Sequence, residues 1–399
     1  MVIGNMNILI VHNYYKLPGG EDTVVQNEKE MLEKRGNKVV LYTRHNNEID
    51  SMNRMQKLLI PVNTIFSVQT YKEIKKLIKD NGINVVHVHN TLNMISPSVY
   101  YAAVSLGVPV VQTIHNFRMV CPGATLYRDG HICEDCVGNG LLCSVKHACY
   151  RNSKIQTLAS AITQMIHRAT GIYRKINYIC LTGFNKEKLL SLKNIRKDRI
   201  FIKPNFANGS VKEIKASEKK KYYLFAGRLE KIKGIDVLLK AWKLLGEDAP
   251  ELIICGSGEL DKNCQSFVKN NSVKNVTFKG QTPHDELMKL MGEARALVFP
   301  SQWYEGFPMT ITESYSLGTP VIAGDIGNPA NLVFDGETGF KFKYDSADAL
   351  AETIKKMNDL ADNEYDRLCN NAYVRYNSSY TEEENYKRLM SIYKRISIK

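Results

Sequence analysis

The stretch ALVFPSQWYEGFPMTITESYSLGTPVIAG, residues 296–324, constrains the fold of this chain more than any other. It opens on the apolar run 296–299 and closes on a second at 321–323, both short and continuous, as in parallel strands buried on both faces. Between them, Gly306, Phe307 and Pro308 can form a turn, with Pro308 at a helix start, where a missing N–H does no harm. The spacing predicts a helix over 309–317, ended by Gly318. A strand, a polar loop, a helix and a second strand therefore follow one another. The loop presents Glu305 beside helix amides that have no carbonyl partner, and Glu313 lies one turn into the helix on the same side. Such amides suit a phosphate or sugar oxygen, and ligands of parallel sheets bind at the carboxyl ends of the strands. From spacing alone, two solvated glutamates on a helix face fit equally well.

At 399 residues the chain is longer than one hydrophobic core usually serves, which predicts two domains. The apolar fraction of 44% is ordinary for a globular protein. No apolar run is long enough to cross a bilayer, and the N-terminus lacks the three-part pattern of a signal peptide, so a soluble, cytoplasmic protein is expected. Its nine cysteines are then thiols or metal ligands rather than a disulfide framework. The net charge of +13 is lopsided: residues 1–210 hold 27 Lys and Arg against 14 Asp and Glu, and residues 211–399 hold 27 of each. A basic N-terminal half suits an anionic partner, either a phosphorylated substrate or an anionic membrane surface. No zinc-finger, RNA-recognition or basic-zipper signature favours nucleic acid.

In chain order, the run 7–12 leads through a loop holding Gly19, Gly20 and Glu21 into a helical pattern over 22–35, the start of a βαβ unit. Strand-like runs recur at 39–42, 85–89, 108–115 and 178–182, mostly separated by helical stretches such as 71–79. A polar segment at 204–221 reads as the interdomain linker. A second alternating series follows: strands at 222–226, 252–255, 276–278, 296–299 and 321–323, and helices at 235–245, 260–269 and 284–291. Helical stretches at 347–359, 364–376 and 381–396 complete the chain. The alternation predicts an α/β chain of two doubly wound, Rossmann-like domains in tandem.

The motifs Glu305-Gly-Phe-Pro with Glu313, Gly318-Thr-Pro-Val-Ile-Ala, Gly227-Arg-Leu-Glu-Lys-Ile-Lys-Gly234 and Gly256-Ser-Gly-Glu259 resemble retaining glycosyltransferase family 4 of the GT-B fold, over nearly the whole chain. The resemblance implies two Rossmann-like domains facing a central cleft. Residues 1–205 would be the acceptor side, carrying a Cys-rich insertion at about 118–150; residues 206–380 would bind the nucleotide sugar; and the helix 381–399 would pack back toward the first domain. It also implies a nucleotide diphosphate sugar as donor. Cleaving the sugar bond leaves negative charge on the diphosphate, which needs fixed cations, and Arg228 and Lys233 occupy the family's matching positions. With those two cations no catalytic metal ion is required, and the chain has no Asp-x-Asp motif. Glu305 would accept from donor-sugar hydroxyls, the backbone at Phe307, Pro308, Met309 and Thr310 would meet the sugar or β-phosphate, and Glu313 would accept from the ribose diol. Gly256, Ser257 and Gly258 would pass close to the nucleotide, the loop 280–283 would hold the base, and Asn205 would neighbour the diphosphate or hinge. From the first domain, His115 would meet the donor sugar, and Gly19 and Gly20 the diphosphate or acceptor.

Two departures from the family pattern stand out. Where many relatives read Gly-Gly-x-x-Glu, this chain has Gly327-Asn328-Pro329-Ala330-Asn331, which puts a donor contact from that loop in doubt; Ser314-Tyr315-Ser316 replaces smaller residues. Between the His115 strand and the next helix, five cysteines fall within 29 residues. Cys133 and Cys136 have metal-ligand spacing, and a structural zinc on Cys121, Cys133, Cys136 and Cys149 is the hypothesis, against buried free thiols. This arrangement, starting at His115-Asn-Phe-Arg-Met, resembles a bacterial subset of the family that builds surface polysaccharides such as capsule, O-antigen or exopolysaccharide, and would lie near the acceptor. Ile155, Leu158, Ala159, Ile162, Met165, Ile166 and Ala169 then recur at helical spacing, flanked by Lys154, Arg168, Arg174 and Lys175. Such a helix could dock peripherally on the cytoplasmic face of a membrane holding a lipid-linked glycan acceptor, or could pack in the core. The expected activity is metal-independent transfer of a sugar to a growing glycan; a nucleotide-sugar epimerase of the same fold and an inactive sugar-nucleotide-binding protein are the rivals.

Overall fold

A computed structural model describes residues 5–16, 19–193, 195–207 and 213–398. The chain forms two compact units. The first takes the described parts of Met1–Leu126, Cys133–Pro204 and Asn385–Lys399; the second takes those of Tyr127–Ile132 and Asn205–Glu384. Part of the expected linker, residues 208–212, lies outside the described residues.

In the first unit, β1 (Asn7–Tyr14) is followed by α1 (Gly20–Lys34), β2 (Lys38–His45), α2 (Arg54–Ile65), β3 (Val85–Asn90) and β4 (Val110–Ile114). A short hairpin, β5 (Tyr127–Arg128) and β6 (His131–Ile132), belongs to the second unit. The helix α3 (Lys154–Ala169), β7 (Asn177–Cys180) and β8 (Ile200–Ile202) return to the first. Its sheet runs β2-β1-β3-β4-β7-β8, with every pairing parallel. Ile8, Leu9, Ile10 and Val11 are each fully buried, as expected of a strand covered on both faces. Residues 385–397 of the C-terminal helix Glu382–Ser397 belong to this unit, where Tyr393 meets His87 (2.7 Å). Beside them Lys203, fully buried, binds Glu28 Oε1 (2.5 Å) and Asn385 Oδ1 (3.1 Å), and Asn385 donates to the Pro204 carbonyl (2.6 Å). These bonds anchor the chain where it leaves the first unit and where it re-enters. A buried charge is tolerable only when paired and hydrogen-bonded, which both members of the Glu28–Lys203 pair are.

The second unit contains β9 (Tyr222–Ala226), α4 (Ile235–Leu245), β10 (Glu251–Cys255), β11 (Val276–Gly280), β12 (Ala296–Phe299), α5 (Met309–Ser316), β13 (Val321–Gly324) and β14 (Gly339–Phe342). Its parallel sheet has the order β11-β10-β9-β12-β13-β14. Successive residues of a strand serve opposite cores: Tyr223 and Phe225 pack with Leu238, Trp242 and Leu252, whereas Tyr222 and Leu224 pack with Leu297, Ile311 and Tyr315. In α4, Leu238, Leu239, Trp242 and Leu245 are buried at the spacing of a single helix face.

Both sheets have the doubly wound character expected from the alternation of the sequence. Among the elements not anticipated are α2, the helices Ser98–Ser105, Gly183–Leu190 and Gly327–Leu332, the β5–β6 hairpin, β8 and β14. α2 carries Pro61 inside it and buries only Thr64, so it shows neither a clean helical stripe nor a core face; its start is fixed by Asn53, which accepts from the Gln56 amide. The strand expected over 108–115 is shorter. Pro109 has no N–H for the ladder, and His115 falls one residue past the end of β4. Among the described residues, no helix is long and apolar enough to cross a membrane.

Candidate active site

In the second unit the structure brings Lys233 and Glu305 together. Lys233 ends a 3-10 turn, Lys231–Lys233, and its Nζ lies 2.8 Å from Glu305 Oε1. Gly234 makes this possible: at φ +74 a Cβ would lie 1.8 Å from the Pro300 carbonyl oxygen, so only glycine lets the two loops touch. Gln302 N then donates to the Ile232 carbonyl (2.8 Å), fixing the contact. Ser301 Oγ is a second donor to Glu305 Oε1 (2.7 Å). Both bonds converge on that oxygen, and among the described residues Oε2 has none. The Glu305 backbone sits at φ 48, the left-handed region, which costs a non-glycine residue about 1–2 kcal/mol. Asn328 offsets that strain. Fully buried, it donates from Nδ2 to the Glu305 carbonyl (2.7 Å) and the Gly306 carbonyl (2.8 Å). The departure at 327–331 is therefore a brace under the Glu305 loop. Gly327 permits the approach, since a Cβ there would lie 2.7 Å from Tyr304 Cα.

The other candidates of this unit are placed differently. Arg228 is largely exposed and pairs with Glu230 (2.7 Å), not with Glu305. Gly256 and Gly258 are required by packing within the unit: Cβ atoms would lie 1.9 Å from the Gly227 carbonyl oxygen and 2.5 Å from that of Leu229. The turn with Ser257 thus lies against the Arg228 loop, and the Ser257 carbonyl accepts from Leu229 N (3.1 Å). Gly280, at the start of the 280–283 loop, gives its carbonyl to Gly256 N (2.7 Å). Pro308 is the N-cap of α5, with no side chain capping the turn, and Met309 and Thr310 form its first two positions; Phe307 packs on the core near Tyr380. Glu313 is half-buried, and burial raises its pKa above the usual carboxylate range, opposed by His284. Asn205 is buried, and its Oδ1 has no hydrogen-bond partner among the described residues. Trp303, beneath the Lys233 ammonium at 5.7 Å, likewise has an indole N–H with no partner among the described residues.

In the first unit His115 Nε2 lies 2.9 Å from His89 Nδ1, and burial holds both imidazoles well below their ordinary pKa, hence neutral. His115, Asn116 and Arg118 line a cavity with His89, Asn90 and Gln112. Gly19 is extended at φ −126, and Cβ atoms at Gly19 and Gly20 would meet nothing within 4 Å, so neither position requires glycine for its own packing. The Gly19 amide donates to Asp22 Oδ2 (2.9 Å), whose other oxygen meets His12 (2.7 Å).

Glu21 was passed over in the sequence as part of the glycine loop. Its carboxyl is buried, with Oε1 lacking a partner among the described residues, and its pKa is pushed up to about 8 by burial, against hydrogen bonding to Tyr15 and Asn116. A carboxyl with a raised folded-state pKa favours the protonated native state. Its stabilisation is complete below the unfolded value near 4.5 and is lost as pH rises toward 8. Thermal unfolding against pH is therefore expected to show Glu21→Gln losing less stability than the parent between pH ~5 and ~8; parallel curves would contradict this.

Among the described residues, two groups place three ligand atoms within 4.8 Å: Glu28, His87 and His89, and His12, Glu21 and Asp22. The first does not fit a metal, because Lys203 already neutralises Glu28, and both His87 nitrogens are engaged by Tyr393 and Thr113. In the second, His12 Nε2 is engaged by Asp22. Cys121, Cys133, Cys136 and Cys149 do not form such a group. All are free thiols. Burial pushes the Cys136 thiol up to about 12, with Cys121, Cys149 and Cys143 adding to the shift.

Residues 18–208 match the family model Glycosyltransferase Family 4, and residues 209–375 match Glycosyl transferases group 1. An uncharacterized glycosyltransferase of Methanocaldococcus jannaschii is 26% identical over 66% of this chain and 74% of its own length. An uncharacterized 42.6 kDa protein in the cps region of Klebsiella pneumoniae is 22% identical over 82% of this chain and 87% of its own. Among solved structures, Anabaena HepE in complex with UDP superposes with a TM-score of 0.68 at 14% identity, covering 98% of this chain and all of that one (100%).

Proposed function

Since the chain belongs to the GT-B glycosyltransferases, with a family 4 and a group 1 domain, we propose that it moves a sugar, with retention, from a nucleotide diphosphate sugar to a growing, lipid-linked glycan of a surface polysaccharide. The observation that carries this reading is the Lys233–Glu305 pair at the start of α5: a cation, a carboxylate with one unengaged oxygen, and uncapped helix amides within one loop system. UDP in the HepE structure supports the donor class, and the cps-region relative supports the pathway.

In the proposed reaction the bond from the anomeric carbon to the phosphate oxygen breaks as the acceptor oxygen bonds to that carbon on the same face. The acceptor's proton passes to the leaving diphosphate. Lys233, joined by Arg228 once it turns from Glu230, stabilises the charge on that diphosphate. Glu305 orients the sugar hydroxyls, and Glu313 accepts from the ribose. No metal ion takes part in these steps. The enzyme works at the inner face of the cytoplasmic membrane. Nucleoside diphosphate release that requires added acceptor, with the product anomer matching the donor by NMR, tests this. Release without acceptor, or an epimerised donor, would overturn it.

A structural zinc on the cysteine insertion is part of the same reading. Its support is the Cys133-x-x-Cys136 spacing within an insertion that also holds Cys121 and Cys149. Purified protein is expected to hold one zinc per chain and to lose thermal stability on chelation. Cys133→Ser and Cys143→Ser decide which thiol completes the set, and a metal-free protein of unchanged stability removes the idea.

A further inference from the structure

We propose that His89 is a positioning residue: with Glu28 behind it, it fixes which nitrogen of His115 carries the proton and leaves His115 Nδ1 as an acceptor for a hydroxyl of the sugar substrate. His87 and His89 are two apart on β3, so both rings stand on one face of the sheet. Glu28, from the buried face of α1, reaches toward both. His115 follows β4, the neighbour of β3, and its ring stacks on that of His89 at 5.2 Å and 21°. His115 Nε2 lies 2.9 Å from His89 Nδ1, and His89 Nε2 lies 3.5 Å from Glu28 Oε2. Neither of the last two atoms has a hydrogen-bond partner among the described residues. The other groups near Glu28 are already engaged: Lys203 holds Oε1, and His87 Nδ1, 3.6 Å from Oε2, meets the Tyr393 hydroxyl at 2.7 Å.

Charge selects the tautomer. A neutral imidazole has one N–H and one lone pair, and burial keeps both rings neutral, with Lys203, His87 and His12 also opposing a proton on either. At 3.5 Å the carboxylate acts on His89 as a facing charge rather than through a full hydrogen bond, and in a buried site that charge is weakly screened. A lone pair on His89 Nε2 would be set against it, whereas an N–H there is attracted. His89 Nδ1 is then an acceptor, and His115 must donate to it from Nε2. The lone pair of His115 is left on Nδ1, which no described residue binds, in a ring that lines the cavity with Asn116 and Arg118. Such an atom takes a hydroxyl and repels a group that only accepts, such as a phosphate oxygen. The inference deepens the sugar-transfer reading and rests on it for its purpose, but the tautomer can be read with no substrate present.

Nitrogen NMR of the full chain labelled with 15N-histidine tests it, the His115 signals being those missing from His115→Gln. The parent at neutral pH is expected to show a protonated Nε2 and an unprotonated Nδ1 in both His89 and His115. His89→Phe, folded by circular dichroism, is expected to mix the His115 tautomers and to lower kcat/KM for sugar transfer about ten- to a hundredfold, as when an orienting partner of a functional histidine is lost. His89→Gln, whose amide can donate to Glu28 and accept from His115, should restore most of both. A proton on His115 Nδ1 in the parent overturns the proposal, and that spectrum decides even if His89→Phe does not fold. An unchanged His115 tautomer in folded His89→Phe, or a changed tautomer with undiminished transfer, also overturns it. A chain that transfers no sugar at all defeats the proposed function instead.

Discussion

Lys233→Ala is expected to lower kcat/KM by about a hundred- to a thousandfold, the range for removing one preorganised group at developing charge. Among the described residues, Lys233 is the cation paired with Glu305, and Arg228 is engaged with Glu230 on the surface. Loss of Lys233 also leaves the Glu305 carboxylate, 9% exposed, with Ser301 as its one side-chain partner among the described residues. Because the donor diphosphate is already anionic when it binds and gains charge as the sugar bond breaks, the loss should fall on donor KM as well as on kcat. Lys233→Arg should recover only part of it, since a planar fork does not replace a point charge at the end of a tight turn. Initial rates at varied donor concentration check this. A variant with unchanged kcat would place the leaving diphosphate elsewhere.

Asn328→Ala is expected to damage both stability and rate. It removes the Asn328 amide donor from the Glu305 and Gly306 carbonyls, and losing a buried hydrogen-bond partner, as at Glu305, costs about 1–3 kcal/mol. A melting temperature lower by several degrees should follow. The same bonds hold Glu305 at φ 48, so its carboxylate should lose its aim, and kcat should fall further than lost folding alone explains. Calorimetry and kinetics measured below the melting transition separate the two effects. A variant with a lowered melting temperature and full kcat would make Asn328 a packing residue only.

The parts of the fold that announce themselves in the sequence are those whose burial is regular. β12 and α4 lie where their apolar patterns put them, because each meets a core along a continuous face. α2 hid because it has almost no buried face, and its apolar residues conform to no intramolecular pattern. At the site, Lys233 and Glu305 were legible as motif residues, but their contact depends on Gly234 fitting against Pro300, 66 positions away, a long-range fit that no local spacing encodes. Asn328 looked like a lost donor contact because the family pattern speaks of ligands; its work is on a neighbouring loop's carbonyls. Glu21 was hidden by its neighbours: a glycine loop draws attention to backbone, and the burial of one side chain in it comes only from tertiary packing.

The central claim is that the loop system of Lys233, Glu305 and the α5 N-terminus binds a nucleotide diphosphate sugar. The measurement that meets it most directly is a thermal-shift titration with UDP-, GDP-, ADP- and dTDP-sugars, run side by side on the parent and Lys233→Ala, because a ligand bound only by the native state raises the melting temperature by mass action. The account predicts a saturable rise with at least one donor in the parent and a rise at much higher concentration, or none, in the variant. No rise with any donor, or identical titrations for the two proteins, would contradict it.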